Sequence, residues 1–141
     1  MFKKILVAID GSEHSMKATD AALELAQMDQ AHVELLYVAP SFKYLSAETA
    51  TIIEQLEKDM MEESKGIVAK AAEKFEGKNV QFETNVILGN AADLIIEEAE
   101  KKGIDVIVMG SRGLNAVSRF FLGSVSHKVL TYAPCSVLIV R

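Results

Sequence analysis

Gly110, Gly113, Gly123 and Ser124 stand in a glycine- and serine-rich stretch that follows an apolar run late in the chain. Glycines allow positive φ and let a ligand approach bare backbone amides, and successive amides of this kind form an anion-binding nest. Gly123-Ser124 can also open a helix, whose unpaired amides and positive dipole end attract anions. A nest at 110–113 followed, after nine intervening residues, by a helix start puts both devices on one path. Together they can hold about two or three phosphates. Arg112 and Arg119 can add positive charge, and Ser124 or Ser126 can donate hydroxyl bonds. Loop shaping alone would also explain the glycines, and Arg119 equally suits a surface or an interface. Neither common nucleotide fingerprint is present: there is no G-x-x-x-x-G-K followed by Ser or Thr, and no G-x-G-x-x-G after a strand.

A second unusual loop is Asp10-Gly11-Ser12, just after the first apolar run. Asp10 or Ser12 can cap the following helix. The Asp10 carboxylate can also accept ribose hydroxyls or help bind Mg²⁺, a cation held by few protein oxygens plus phosphates. His14, His32 and His127 have no mutual spacing that suggests a metal site; His14 lies near the loop and can either reach the pocket mouth or take a solvated helix position. No nucleophile, base and orienter set emerges, so no catalytic residue is assigned.

Both loops need elements to position them. Ile5–Ile9 is a continuous apolar run that suits a strand covered on both faces. Ala18, Ala21, Ala22, Leu25 and Ala26 then recur at helical spacing between Glu13 and Met28. The unit repeats with a strand over 33–38 and a helix from about Ser46 to Phe75, its apolar stripe running from Ile52 and Leu56 to Ala72 and Phe75. Val80 to Val86 alternates apolar and polar residues, which predicts an edge strand. A helix over 91–102 stops at Gly103, a favoured C-terminal residue. A strand over 105–109, a short helix over 125–132 and a strand over 137–140 complete the chain. Strict alternation of this kind predicts an α/β fold, a parallel sheet with helices on both faces, and ligands beyond the C-terminal strand ends.

The 141 residues suit one domain spanning 1–141, and half of them are hydrophobic. The net charge of −5 gives no footprint for nucleic acid. Before Asp10 there is only a five-residue apolar run, too short for a signal-peptide core, and no run approaches a membrane span. These features predict a cytoplasmic protein. Cys135, the single cysteine, excludes an intramolecular disulfide and reads as a small core residue.

The spacing of Gly110, Gly113, Gly123 and Ser124 resembles the G-2x-G-9x-G-S/T pattern of the universal stress protein family. KKILVAIDGSEHSMKA, DVIVMGSRG and LGSVSHKVLTYAPCSVLIVR are similar to its first strand and loop, its fourth strand and its C-terminal signature. The resemblance implies a single-domain, five-stranded parallel sheet in the order 3-2-1-4-5, Rossmann-like and akin to the adenine nucleotide alpha hydrolases. It also implies a homodimer and an ATP site, with Mg²⁺. The phosphates would lie against Gly110, Arg112, Gly113, Gly123, Ser124, Val125 and Ser126, the ribose and metal by Asp10, and the adenine at the backbone of Val38. Two positions depart from the usual pattern: Ala91 follows Gly89-Asn90 where many members have proline, and Ser136 replaces a proline after Cys135. The first loosens the start of the third helix, and the second restores a backbone donor.

Three functions follow from these readings. One is an ATP-binding dimeric regulator of the stress response with slow hydrolysis at most. The others are a nucleotide-free dimeric adaptor and a slow ATPase or nucleotidyl-transfer enzyme. In each case the last strand, Val137-Leu138-Ile139-Val140, is apolar on both faces yet placed at an edge, which invites pairing with a second copy.

Overall fold

The computed structural model describes residues 1–42, 49–113 and 122–141. In chain order the elements are β1 (Lys4–Ile9), α1 (Glu13–Asp29), β2 (His32–Ala39), α2 (Ala50–Glu73), β3 (Gln81–Leu88), α3 (Ala91–Lys102), β4 (Val106–Gly110), α4 (Ser124–Tyr132) and β5 (Ser136–Val140). All four strand pairings are parallel, and the sheet runs β3-β2-β1-β4-β5. The expected start of the second helix at Ser46 and the side chain of Arg119 lie outside the described residues.

Alternate residues of the central strands feed two separate cores. Ile5, Val7, Val33, Leu35, Val106 and Val108 face α1 and α2, where Ala18, Ala22, Ala26, Val68, Ala71 and Phe75 pack on them. Leu6, Leu36, Ile107 and Met109 face α3 and α4, against Ala92, Ile95, Ala99 and Val129. Covering both faces explains why these strands read as unbroken apolar runs.

Local signals set several of the element ends. The Ser12 hydroxyl accepts from the Ser15 amide at 3.1 Å and caps α1, so of the two expected caps it is serine that serves. Asn90 caps α3 by accepting from the Asp93 amide at 3.1 Å. That cap anchors the helix start where proline is absent, and Gly103 ends it at a φ of 64°. Ser136 takes its place in the ladder opposite Val106.

Two features depart from the expected pattern. The apolar stripe of α2 is buried only in its C-terminal half, while Ile52 and Leu56 are 70% and 45% exposed. The 24 residues of α2 span about 36 Å at 1.5 Å each, whereas an eight-residue strand covers about 26 Å, so the helix overshoots the sheet. The second feature is a buried charge in the middle of β2. Glu34 is 1% exposed and bonds Lys102 Nζ at 2.8 Å, and that ammonium also reaches Glu83 at 3.2 Å and Glu98 at 3.5 Å.

Candidate functional site

The order of the strands sets the place of the site. From β1 the chain passes to β2 on one side, and after β3 it returns to β4 on the other, so β1 and β4 are neighbours across a reversal of direction. A crevice opens at the C-terminal ends of strands at such a point. The β1–β2 ladder ends at Ile9 and Tyr37, while β2 continues to Ala39, which leaves Val38 at the open end between the two strands.

Beyond β1 the chain turns through Gly11 at a φ of 82°, a left-handed conformation that favours glycine. The turn lets Asp10 Oδ1 accept from the Ser12 amide at 2.8 Å. Its other oxygen, Oδ2, lies 3.0 Å from where a side chain on Gly113 would begin, the nearest atom among the described residues.

On the β4 side the loop is stitched at both ends. The Ser111 amide donates to Val140 O at 2.9 Å, the Gly123 amide to Ser111 O at 2.8 Å, and the Ser126 hydroxyl to Gly110 O at 2.7 Å. Ser126 therefore spends its hydroxyl on the loop, leaving its backbone amide for a ligand. Gly123 is the N-terminal cap residue of α4 and has no side chain to bond the first-turn amides. Those of Ser124, Val125 and Ser126 remain without intrahelical partners at the positive end of the helix.

The positive φ that glycine allows in the 110–113 loop is not used there: neither Gly110 nor Gly113 is left-handed, and nor is Gly123. Gly110 and Gly113 permit close approach instead. A Cβ on Gly110 would stand 2.7 Å from His14 Cβ and 2.8 Å from its carbonyl carbon, so this glycine lets β4 lie against the first turn of α1. Around Gly123 a Cβ would meet only ordinary contacts among the described residues, the nearest at 3.4 Å.

These pieces enclose a cavity of about 260 Å³. Asp10, Val38, Gly110, Arg112, Gly113, Gly123, Ser124, Val125 and Ser126 all line it. Its apolar wall is formed by Ala8, Ile9, Leu36, Ile95 and Met109, positions that read in sequence only as core. Their signal was their place at strand ends, which becomes specific once the strand order is known. His14, expected either at the pocket mouth or in solvent, takes neither place: it stands behind the lining, and its partners there are not legible in sequence. Its Nδ1 is 2.8 Å from Ser111 Oγ and its Nε2 3.0 Å from an Arg112 Nη.

The arrangement offers amide donors and one guanidinium at one end and an apolar slot at the other. Among the described residues of the lining, Asp10 is the only carboxylate. Among the described residues no group of three or more His, Cys, Asp or Glu side chains forms a metal cluster. A Mg²⁺ bound mostly by phosphate and water needs no such cluster, so Asp10 with a polyphosphate fits that ion. No helix among the described residues is long and apolar enough to cross a membrane.

Comparison with known proteins matches this architecture to one family. Universal stress protein YxiE of Bacillus subtilis (strain 168) is 40% identical over 148 residues, spanning 100% of both chains. Among solved structures, universal stress protein UspA from Lactobacillus plantarum superposes with a TM-score of 0.80 at 28% identity, covering 99% of this chain and 98% of that one. A universal stress protein family protein from Arabidopsis thaliana with AMP bound superposes at 0.70 and 23% identity, covering 98% and 90%. The profile of the universal stress protein family matches residues 1–141, and the chain belongs to that family.

Proposed function

We propose that the cleft binds ATP together with Mg²⁺, and that the protein is a cytoplasmic, homodimeric regulator of the stress response with slow hydrolysis at most. The observation that carries the reading is convergence. The loop after β4, the uncapped N-terminus of α4, Asp10 and Val38 come from distant parts of the chain and line one cavity. Adenine fits the apolar slot of Leu36, Val38 and Ile95, with the Val38 backbone as its polar reader. Asp10 would accept from the ribose hydroxyls and share Mg²⁺ with the phosphates. The amides of Gly113 and Ser124 to Ser126, together with Arg112, would hold the phosphates. The bound AMP of the Arabidopsis thaliana protein sets adenine nucleotides as the class to test.

Slow turnover is supported by the described lining. Asp10 is its only candidate base among the described residues, and its Oδ1 already accepts the Ser12 amide. Dimerisation is supported by β5, an edge strand on which Leu138 is 39% exposed.

The test is a calorimetric titration of nucleotide-stripped protein with Mg-ATP, using AMP and GTP as controls. Saturable binding of ATP and not GTP supports the reading. Absence of heat at several temperatures, with no thermal shift, overturns it in favour of a nucleotide-free adaptor. Repeated turnover to a defined product would instead make the protein an enzyme.

A further inference from the structure

We propose that His14 is the positioning residue that aims Arg112 at the phosphate end of the cleft, holding the guanidinium without neutralising it; this rests on the nucleotide reading above. Arginine only donates hydrogen bonds, so the contact at 3.0 Å requires His14 Nε2 to accept. The neutral ring then carries its proton on Nδ1, which donates to Ser111 Oγ at 2.8 Å. Ser111 is buried, and its amide is tied to Val140 O at 2.9 Å, so the acceptor that selects the tautomer is itself held by the sheet. The base of the ring is fixed as well, because His14 packs against the bare Cα of Gly110. Every rotatable part of His14 is thereby anchored, and its one free lone pair points at Arg112.

The choice of a neutral acceptor has a chemical consequence. A carboxylate in this place would orient Arg112 but cancel its charge, and a phosphate would have to displace it. Among the described residues no carboxylate forms an ion pair with Arg112. An imidazole restricts a flexible side chain and leaves the full positive charge available. His14 itself is absent from the cavity lining, so its effect on a ligand must pass through Arg112. The arrangement thus reads phosphate and is indifferent to the nucleoside.

The experiment compares ATP and adenosine affinities of the full chain with His14 replaced by Phe, Gln and Asn, each also in an Arg112→Ala background. His14→Phe keeps the ring volume and removes the acceptor. We expect it to weaken ATP about tenfold, the effect of losing one hydrogen bond to a charged group, and to leave adenosine within about twofold. Gln places an amide oxygen where Nε2 stands and should restore most of the ATP affinity. Asn reaches only the Nδ1 position and should not. In the Arg112→Ala background His14→Phe should have no further effect on ATP. In the unliganded wild type, ¹⁵N spectra of the ring should show the Nδ1–H tautomer.

An equal loss for adenosine, a Gln variant no better than Phe, or an undiminished effect without Arg112 would each overturn the positioning role. In those cases the nucleotide reading survives. A wild type that binds no adenine nucleotide overturns both.

Discussion

A Cβ on Gly113 would stand 3.0 Å from Oδ2 of Asp10, which joins the two halves of the cleft at one contact. Gly113 is otherwise exposed. Gly113→Val should therefore leave the fold intact while its methyl groups crowd the carboxylate and the cavity. We expect ATP affinity to fall at least about tenfold, equivalent to about 1.4 kcal/mol, with little change in Tm. Calorimetry beside a thermal melt checks this, and a variant with full affinity would rule out close backbone approach at Gly113.

Gly110 belongs to the same motif and should behave in the opposite way. Its added methyl would fall 2.7 Å from His14 Cβ and 3.0 Å from the Ser15 amide nitrogen, both fixed in the first turn of α1. Gly110→Ala should cost about 1–3 kcal/mol through overpacking. Denaturant unfolding measures this directly, and an unchanged midpoint would show that β4 and α1 can separate freely.

Lys102 holds the one fully buried carboxylate of the described core. Glu34 Oε1 takes its ammonium at 2.8 Å and the Asn85 amide at 3.3 Å, while Oε2 has no hydrogen-bond partner among the described residues. Lys102→Met would strand that charge inside the sheet and should cost about 3 kcal/mol. Adding Glu34→Met should recover much of the loss, because an apolar pair of similar volume removes the stranded charge. Urea denaturation of the two variants tests the order, and a double variant no more stable than the single would contradict it.

The same cluster sets a pH dependence with two limbs. Burial pushes the Glu83 carboxyl up, but the bond and charge of Lys102, with help from His32, outweigh it and hold the group below its ordinary 4.5. Stability from that group is present above the ordinary value and is lost as pH falls through the folded one. Asp29, held low by the bond and charge of the N-terminal ammonium, adds to the same limb. Lys102 is opposed by burial, yet Glu34 and Glu83 raise it above its ordinary 10.5. Its stabilisation is full below that value and is lost as pH rises through the folded one. Thermal melts should show a plateau between those ordinary values and a decline beyond each. Lys102→Met should abolish the Lys102 contribution to the alkaline decline, and a wild-type Tm that is flat through both limbs would contradict the assignment.

The free edge of β5 supplies the last prediction. Val137 and Ile139 pack on the α3 and α4 side and Val140 on the other, so a charge at Ile139 would disturb the core along with the edge. Leu138 is the exposed member, which makes Leu138→Lys the cleaner probe. Light scattering should give a dimer mass for the wild type and a monomer mass for the variant, with the monomer still folded. A dimer mass for both would move the interface elsewhere.

Much of this architecture is legible in the order of the amino acids. The β-branched runs, the alanine stripe of α1, the polar alternation of β3 and the stop at Gly103 are local signals, written within a few residues of where they act. Glycine spacing likewise marks the loop after β4. Less legible is what each glycine does: Gly110 faces a helix and Gly113 a carboxylate, and composition cannot separate them. The exposed half of α2 misleads for a related reason, since an apolar stripe shows which face would bury but not how far the sheet extends beneath it.

By itself the sequence determined the order and type of the elements, the α/β class and the segments able to meet an anion, because periodicity and turn chemistry depend on near neighbours. Tertiary structure alone decided the pairings of Glu34 with Lys102, 68 residues apart, and of His14 with Arg112, 98 residues apart. Such contacts depend on strand register and helix docking, which arise only when the whole sheet closes over both of its cores.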